Sequence, residues 1–334
     1  MVKHYTIPIF VPEEACPHRC IFCNQHHITS RPKTPSLEEA QGIIEKHLKT
    51  IPPKAGIDIG FLGGNFTGIP LENQEAFLEM ANRYLRSERV SGIRISTRPD
   101  YINEKILDLQ QKYGVTTIEL GAQSMDEEVL RCAGRGHTSE DTAKASEMIR
   151  RRGIRLGLQK MLGLPGDSEE KALRTARRIV DLGAACTRIY PTLVVRNTPL
   201  EIRWRRKEYF PLPMKEAIDQ TLKIMPLFEK AGVRIIRIGL HPSEGFLDGS
   251  QLLDGPFHQS FKELVMTEKW NRELRRFDWK KESRDVMVFV HAHDFNNAVG
   301  YRARNKKMLQ QHYRKVKFVR DENMPKGAFH VDYR

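Results

Sequence analysis

The stretch CPHRCIFCNQHH, residues 16–27, holds three of the five cysteines of this 334-residue chain. Its spacing is C-x3-C-x2-C, and His26 and His27 close it. Zinc takes four ligands, so Cys16, Cys20 and Cys23 with either histidine would make a Cys3His site. Structural zinc sites usually pair their ligands in two separate knuckles, whereas this is one compact triplet. Three thiolates can instead hold three irons of a [4Fe–4S] cluster and leave the fourth iron open to a small molecule. Spacing alone leaves both readings standing.

Working outward, the triplet follows an apolar extended run, IPIFVP (7–12). Strand and helix signals then alternate. SLEEAQGIIEKHLKTI (36–51) opens with Ser36 and has Glu39 three residues on, a capping box. IDIGFLGG (57–64) reads as a strand ending in glycines, and a helix is expected over 71–87. IRISTRPD (93–100) is a strand stopped by Pro99, and Asn103 caps the next helix. TTIELGAQS (116–124) and RLGLQKMLGLPG (155–166) are further strands, and Ser168 starts another helix. TRIYPTLVV (187–195), a helix around 214–231 and VRIIRIGL (233–240) complete the series. One helix per short β-rich run implies a parallel sheet, either open and doubly wound or curled into a barrel. Periodicity does not choose between them.

In either form the strand ends carry the chemistry. Here Gly63-Gly64-Asn65, Ser96-Thr97-Arg98, Gln123-Ser124 and Gly163-Leu164-Pro165-Gly166 sit where strands run out. Glycines and small polar residues let backbone approach a ligand closely. Four such ends after a cysteine cluster favour a cofactor site over ordinary turns.

Cys132 and Cys186 stand alone, so no disulfide framework is expected and a reducing cytoplasm is the default. The N-terminus carries no long apolar stretch, so no signal peptide is expected. No run approaches the roughly 20 apolar residues of a bilayer span. The formal charge of +13 suits a protein that meets a polyanion, nucleic acid first among them.

CPHRCIFC resembles the signature of the radical S-adenosylmethionine (SAM) superfamily, with Phe22 at the aromatic position before the last cysteine. The resemblance runs from about Tyr5 to His241. GFLGGNFTGIP (60–70), STRPDY (96–101), ELGAQSMDEEVL (119–130), RGHT (135–138), LGLPGDSEE (162–170) and RIYPTLVVRNTPL (188–200) together resemble the radical SAM domain of the Elongator catalytic subunit. That family modifies wobble uridines in tRNA. LGAQS, RGH and LGLPG are also similar to segments of oxygen-independent coproporphyrinogen oxidase.

The resemblance implies a [4Fe–4S] cluster on Cys16, Cys20 and Cys23, SAM as second cofactor, and an electron donor such as a flavodoxin or ferredoxin. Gly63 and Gly64 would present backbone to the methionine amino group, and Gln123 and Gln159 would hydrogen-bond the ribose and methionine portions. Arg135 would face the SAM carboxylate, while Phe22 and the backbone near Leu162 would line the adenine. Relatives often carry acids where this chain has Asn65 and Ser96, which sit among the cofactor-binding candidates. Tyr190 is the candidate to approach the substrate. Nothing after residue 245 resembles the Elongator subunit's acetyltransferase domain, so its carboxymethyl chemistry is not carried over.

HPSEGFLDGSQLLDGPFHQS (241–260) reads as a connector, with a radical SAM core over 1–245 and a small domain over 246–334. There a helix (257–277), VMVFVHA (286–292), helical DFNNAV and NKKMLQQHY around GYRA (300–303), and VKFVRD (316–321) give β-α-turn-α-β order. This resembles the core of a KH domain, whose turn clamps a nucleic-acid backbone, although Ala303 stands in place of the last glycine. Between Tyr301 and Arg320 there are eight Lys/Arg and no Asp/Glu, and Arg302, Arg304, Lys306 and Lys307 cluster at the turn.

The expected protein is therefore an α/β cytoplasmic radical SAM enzyme with a partial (β/α)6-type barrel and a basic C-terminal KH-like domain. Reductive cleavage of SAM to a 5′-deoxyadenosyl radical would serve RNA modification, with tRNA the favoured partner and no membrane involved. Two alternatives are radical chemistry on a small molecule such as a tetrapyrrole, and a zinc-stabilised RNA-binding protein without catalysis.

Overall fold

The computed structural model describes residues 4–11, 20–24, 33–279 and 285–334. Its main sheet has seven strands: β1 (His4–Val11), β2 (Gly56–Gly63), β3 (Gly92–Thr97), β4 (Val115–Gln123), β5 (Arg155–Leu162), β6 (Cys186–Pro191) and β8 (Arg234–Ile238). The two-residue β7 (Val194–Val195) leaves this sheet to pair antiparallel with β9 (Leu252–Asp254).

Spatial order follows chain order, β1-β2-β3-β4-β5-β6-β8, and every pairing is parallel. That answers the choice periodicity left open. A doubly wound sheet reverses its direction of growth at a switch point; this one never does. Crossovers of one hand then put the helices on one face and leave the other concave. The result is a curled half-barrel. Among the described residues it does not close, since β1 and β8 each have a neighbouring strand on one side only.

The helix starts rest on local chemistry. Ser36 and Glu39 make the capping box for Leu37–Leu48, with bonds of 3.1 and 2.8 Å. Asn103 Oδ1 accepts from Ile106 N at 3.0 Å to start Glu104–Lys112, and Ser168 caps Glu169–Asp181. Loss of such a cap costs about 1 kcal/mol.

Along each strand, residues alternate between two faces. Ile93, Ile95, Ile118, Leu120, Leu156, Leu158 and Ile189 are buried. Between them, Arg94, Ser96, Gln159, Arg188 and Tyr190 line the concave cavity, with Glu119 buried beneath it. Gly157 makes room for Glu119: a Cβ there would meet Glu119 Cγ at 2.8 Å and Cys186 Sγ at 3.0 Å.

The chain forms two compact units, residues 1–259 and 260–334, whereas composition placed the boundary at 245/246. The connector is tied back to the first unit by the β7–β9 pairing and by Phe246, which packs on Leu193 and Val195 and sits edge-on to Phe257.

In the second unit a helix, Phe261–Arg276, precedes β10 (Asp285–Val290). Two short helices, Phe295–Val299 and Arg304–Leu309, lead to β11 (Lys315–Arg320) and β12 (Phe329–Tyr333). β10 lies between β11, parallel, and β12, antiparallel. The β-α-turn-α-β order of the expected KH-like unit is present, with β12 added. Trp270, Leu274, Val288, Leu309 and Phe318 belong to its core. Buried Asn305 donates to Thr267 O and Ala298 O, both at 3.1 Å, which fixes the 300–303 turn. Arg302 and Ala303 both take positive φ, 50° and 58°. Ala303 thus adopts the left-handed backbone that glycine would supply more easily.

Candidate active site

The concave face of the half-barrel holds a cavity of about 1180 Å³. It meets the carboxyl ends of the parallel strands, where α/β folds carry their chemistry. Cys20 and Cys23 line it together with Phe22, Gly63, Gly64, Ser96, Gln123, Arg135, Gln159 and Tyr190. Residues from six strand ends or following loops thus share one chamber. Cys16, His26 and His27 lie outside the described residues.

Arg135 is buried and makes the most direct contact with the cysteine segment. Its Nη1 donates to Cys20 Sγ at 3.0 Å, its Nη2 donates to Gly121 O, and its Nε has no hydrogen-bond partner among the described residues. The sequence resemblance assigned it to a SAM carboxylate; the thiol contact was not anticipated. Arg135 O in turn accepts from Arg98 Nη2 at 2.6 Å, and Arg98 is held by Asp100 at 2.8 Å.

Gln123 ends β4 with φ 63°, and its Oε1 is buried without a hydrogen-bond partner among the described residues. A non-glycine residue in that conformation is uncommon and points to function. Gln159 Nε2 lies 3.3 Å from Ser96 Oγ and 3.4 Å from Glu119 Oε2. Gly63 has φ 109°, and a Cβ on it would meet Val11 O at 3.0 Å; Gly64 N donates to that same carbonyl at 2.7 Å. No side chain fits at Gly63, so the wall there is bare backbone.

Two of the expected cofactor residues stand back from the cavity. Asn65 is fully buried, and its Oδ1 accepts from Thr97 Oγ1 at 2.6 Å and Arg98 N at 3.3 Å. It braces the β2 and β3 loops against each other. Leu162 is also fully buried, and its carbonyl accepts from Thr192 N and Oγ1 at 2.9 and 2.8 Å. The neighbouring Gly163 is held by Asp167 at 3.0 Å and by the Tyr209 hydroxyl at 2.7 Å.

Beneath the chamber lies a charge network that inspection of strand ends missed. Buried Glu119 accepts from Arg94 Nη1 at 2.6 Å and from both Nε and Nη2 of Arg188, the latter at 2.9 Å. Burial opposes the Glu119 charge, but Arg188 and then Arg94 outweigh it and hold its pKa below the carboxylate range. Arg188 is pushed above the ordinary guanidinium value: burial works against its charge, and Tyr190 and Glu119 overcome that. Removing one partner of such a buried pair costs on the order of 3–5 kcal/mol. The available signal was polar residues at even spacing within apolar strands: Arg94 and Ser96, Glu119 and Gln123, Arg188 and Tyr190.

The residues present fit the two cofactors the cysteine motif implies. Cys20 and Cys23 offer thiols, Gly63 offers backbone with no Cβ in the way, and Gln123 Oε1 and Arg135 Nε are polar atoms awaiting partners.

Comparison with known proteins agrees. The radical SAM superfamily pattern matches residues 11–179, and the radical SAM C-terminal domain pattern matches 184–271. The chain is 30% identical over 303 residues to the tRNA uridine(34) acetyltransferase of Methanocaldococcus jannaschii, covering 78% of this chain and 54% of that one. It is 27% identical over 210 residues to Elongator complex protein 3 of Saccharomyces cerevisiae, covering 57% and 38%. The chain therefore spans about half the length, or less, of these relatives. The solved structure of Methanocaldococcus infernus Elp3 superposes with a TM-score of 0.66 at 25% identity, over 82% of this chain and 65% of that one. Match, fold and chamber together identify the chain as an enzyme of the radical SAM superfamily, whose cofactors are a [4Fe–4S] cluster and S-adenosylmethionine.

Proposed function

We propose that this enzyme modifies RNA, with tRNA as its substrate, and that a small electron-transfer protein such as a flavodoxin or ferredoxin reduces it. The observation that carries the chemistry is the single chamber in which Cys20 and Cys23 meet Gly63, Gln123, Gln159 and Arg135. When bound, the cluster and SAM supply one-electron cleavage of the sulfonium and removal of a hydrogen atom from the substrate. The chain's own residues do the rest. Arg135 orients the Cys20 thiol, and Gln123 and Gln159 offer amides to the ribose and methionine portions. Phe22, buried beside the cysteines, covers the adenine. The half-buried Tyr190 hydroxyl faces the substrate side and accepts from Arg188 at 3.4 Å. Burial of this site excludes water from a reactive intermediate.

The RNA reading is supported by relatives named for tRNA uridine and by the basic turn of the second unit. Arg302, Arg304 and Lys307 are exposed and Lys306 is half-buried. Arg304 also pairs with Glu268 at 3.4 Å, so Arg302, Lys306 and Lys307 are the cations most available to phosphates. No helix among the described residues is long and apolar enough to cross a membrane.

Anaerobic reconstitution should give about four irons and four sulfides per chain. Alanine at Cys16, Cys20 or Cys23 should abolish this; alanine at Cys132 or Cys186 should not. The substrate is tested by comparing tRNA nucleosides by mass spectrometry between a strain carrying the enzyme and one lacking it. An identical nucleoside profile, together with SAM turnover on a small metabolite, would remove RNA in favour of small-molecule chemistry.

A further inference from the structure

Six arginines among the described residues line the concave cavity: Arg94, Arg98, Arg135, Arg188, Arg234 and Arg237. Their partners divide them. Arg94 and Arg188 share Glu119, Arg98 is chelated by Asp100, and Arg135 is held by Cys20 and Gly121. Each of these four has a carboxylate or at least two hydrogen-bond partners within the protein. Arg234 and Arg237, both on β8, are not. Arg237 donates through Nε to Gly239 O at 3.0 Å, and its two terminal nitrogens have no hydrogen-bond partner among the described residues. Arg234 is exposed and has no ion pair among the described residues. Among the described residues one carboxylate, Glu244, lines the cavity, and it pairs with neither.

The arrangement is electrostatically unfavourable as it stands. Arg237 is the register partner of Arg188 across the β6–β8 ladder, so two guanidiniums occupy adjacent positions on one concave wall. Burial, and then the Arg188 charge, hold the Arg237 pKa below the ordinary guanidinium value, with Tyr190 acting the other way. A half-buried cation without a counter-charge is costly unless something supplies one. A planar guanidinium with its terminal nitrogens unoccupied is suited to two oxygens of one oxyanion.

We propose that Arg237, assisted by Arg234, forms an oxyanion subsite on β8 that takes a phosphate group of the substrate. The subsite is separate in sequence from every residue assigned to SAM. It rests on the RNA reading only for the source of the phosphate, which is either a diester linkage within RNA or the monoester of a free nucleotide. Bound there, the phosphate brings the adjoining sugar and base to the same wall as Tyr190.

The test is equilibrium dialysis of the anaerobically reconstituted enzyme against three probes. These are a uridine trinucleotide, the same trinucleotide with neutral methylphosphonate linkages, and uridine 5′-monophosphate. The wild type should bind the charged trinucleotide about tenfold or more tighter than its neutral analogue, the scale of one charge-assisted hydrogen-bonded contact. Arg237→Gln should reduce that preference to about twofold or less, Arg237→Lys should retain part of it, and Arg234→Gln should lower it less. The thermal midpoint should not fall, since Arg237 holds no internal carboxylate and its charge is opposed by Arg188, and SAM binding should not change. If the trinucleotide fails to bind the wild type while the monophosphate binds and depends on Arg237, the subsite stands and the RNA reading fails. If the wild type does not distinguish charged from neutral probes, or Arg237→Gln keeps the full preference, the subsite is overturned.

Discussion

Arg135 lies 115 positions along the chain from Cys20 and places its Nη1 3.0 Å from the Cys20 sulfur. The same guanidinium is anchored on Gly121 O, at the end of β4. A cationic donor is thereby fixed on one of the sulfurs that would carry iron. Donors and charges around the sulfurs set the potential of an iron–sulfur centre. Arg135→Gln should still assemble a cluster, but one with a more negative reduction potential than the wild type. Arg135→Lys, which keeps the charge, should recover part of the difference. A redox titration followed by electron paramagnetic resonance measures it, and equal potentials in all three proteins would refute the role.

Gln123 combines a side chain that lines the chamber with a backbone that disfavours any side chain. Two substitutions separate these effects. Gln123→Ala and Gln123→Gly should both weaken SAM binding about tenfold, the scale of one lost hydrogen bond from a buried polar site. Gln123→Gly should be the more stable of the two by about 1 kcal/mol, because glycine meets no Cβ clash at positive φ. Calorimetric SAM titration and urea unfolding give the two readouts. Unchanged affinity in both variants would detach Gln123 from SAM.

His137 is buried beside the arginines of the site. Burial, followed by the charges of Arg135 and Arg98, pushes its pKa from 6.5 down to about 3. Between those values the unfolded chain binds a proton that the folded one does not. Stability should therefore be complete above pH 6.5 and decline as pH falls towards 3, by up to about 1.4 kcal/mol per pH unit. Asparagine at 137 removes this contribution. Urea unfolding of both proteins at pH 5 and pH 7 should show a smaller loss for His137→Asn, and parallel losses would count against the assignment.

The Gly300–Ala303 turn makes a salt-dependent prediction. Each neutralised phosphate contributes about 0.7 to the log–log slope of binding against salt on single strands. Arg302→Glu with Lys306→Glu should flatten the slope and weaken tRNA binding across sequences, leaving cluster assembly intact. Arg304→Gln should have the smaller effect, because Glu268 already engages that side chain. Binding that the double substitution leaves unchanged would remove the turn from the RNA interface.

Local signals carried the elements well and the network poorly. Ser36, Asn103 and Ser168 start helices where their side chains predicted, because a cap is decided within four residues. The strand expected over 187–195 splits into β6 and β7, because β7 pairs with β9, a partner distant in sequence. β12 was not anticipated: its FHVDY run finds its place only against β10. In the site, strand-end residues were legible because glycine, serine and glutamine stand out at the end of an apolar run. Glu119 and Arg188, 69 positions apart, could not be paired without the sheet. Asn65 was read as facing a cofactor, but it turns sideways to Thr97, a choice made by the neighbouring loop rather than by its own.

Among the described residues the sheet stops at β8 without returning to β1, and that bears on how a substrate can arrive. A free metabolite, or the loose end of a chain, can descend through the mouth of any barrel. A nucleotide in the interior of a polymer cannot, because it is tethered on both sides and a ring of strands offers no place for the tethers to pass. A wall with one stave missing removes that obstacle: the nucleotide swings in broadside while its neighbours remain in solvent. The swing costs a few kcal/mol of unstacking, least where the nucleotide is already unpaired. For the RNA substrate proposed above, unpaired loops would then be the accessible targets and base-paired stems would not.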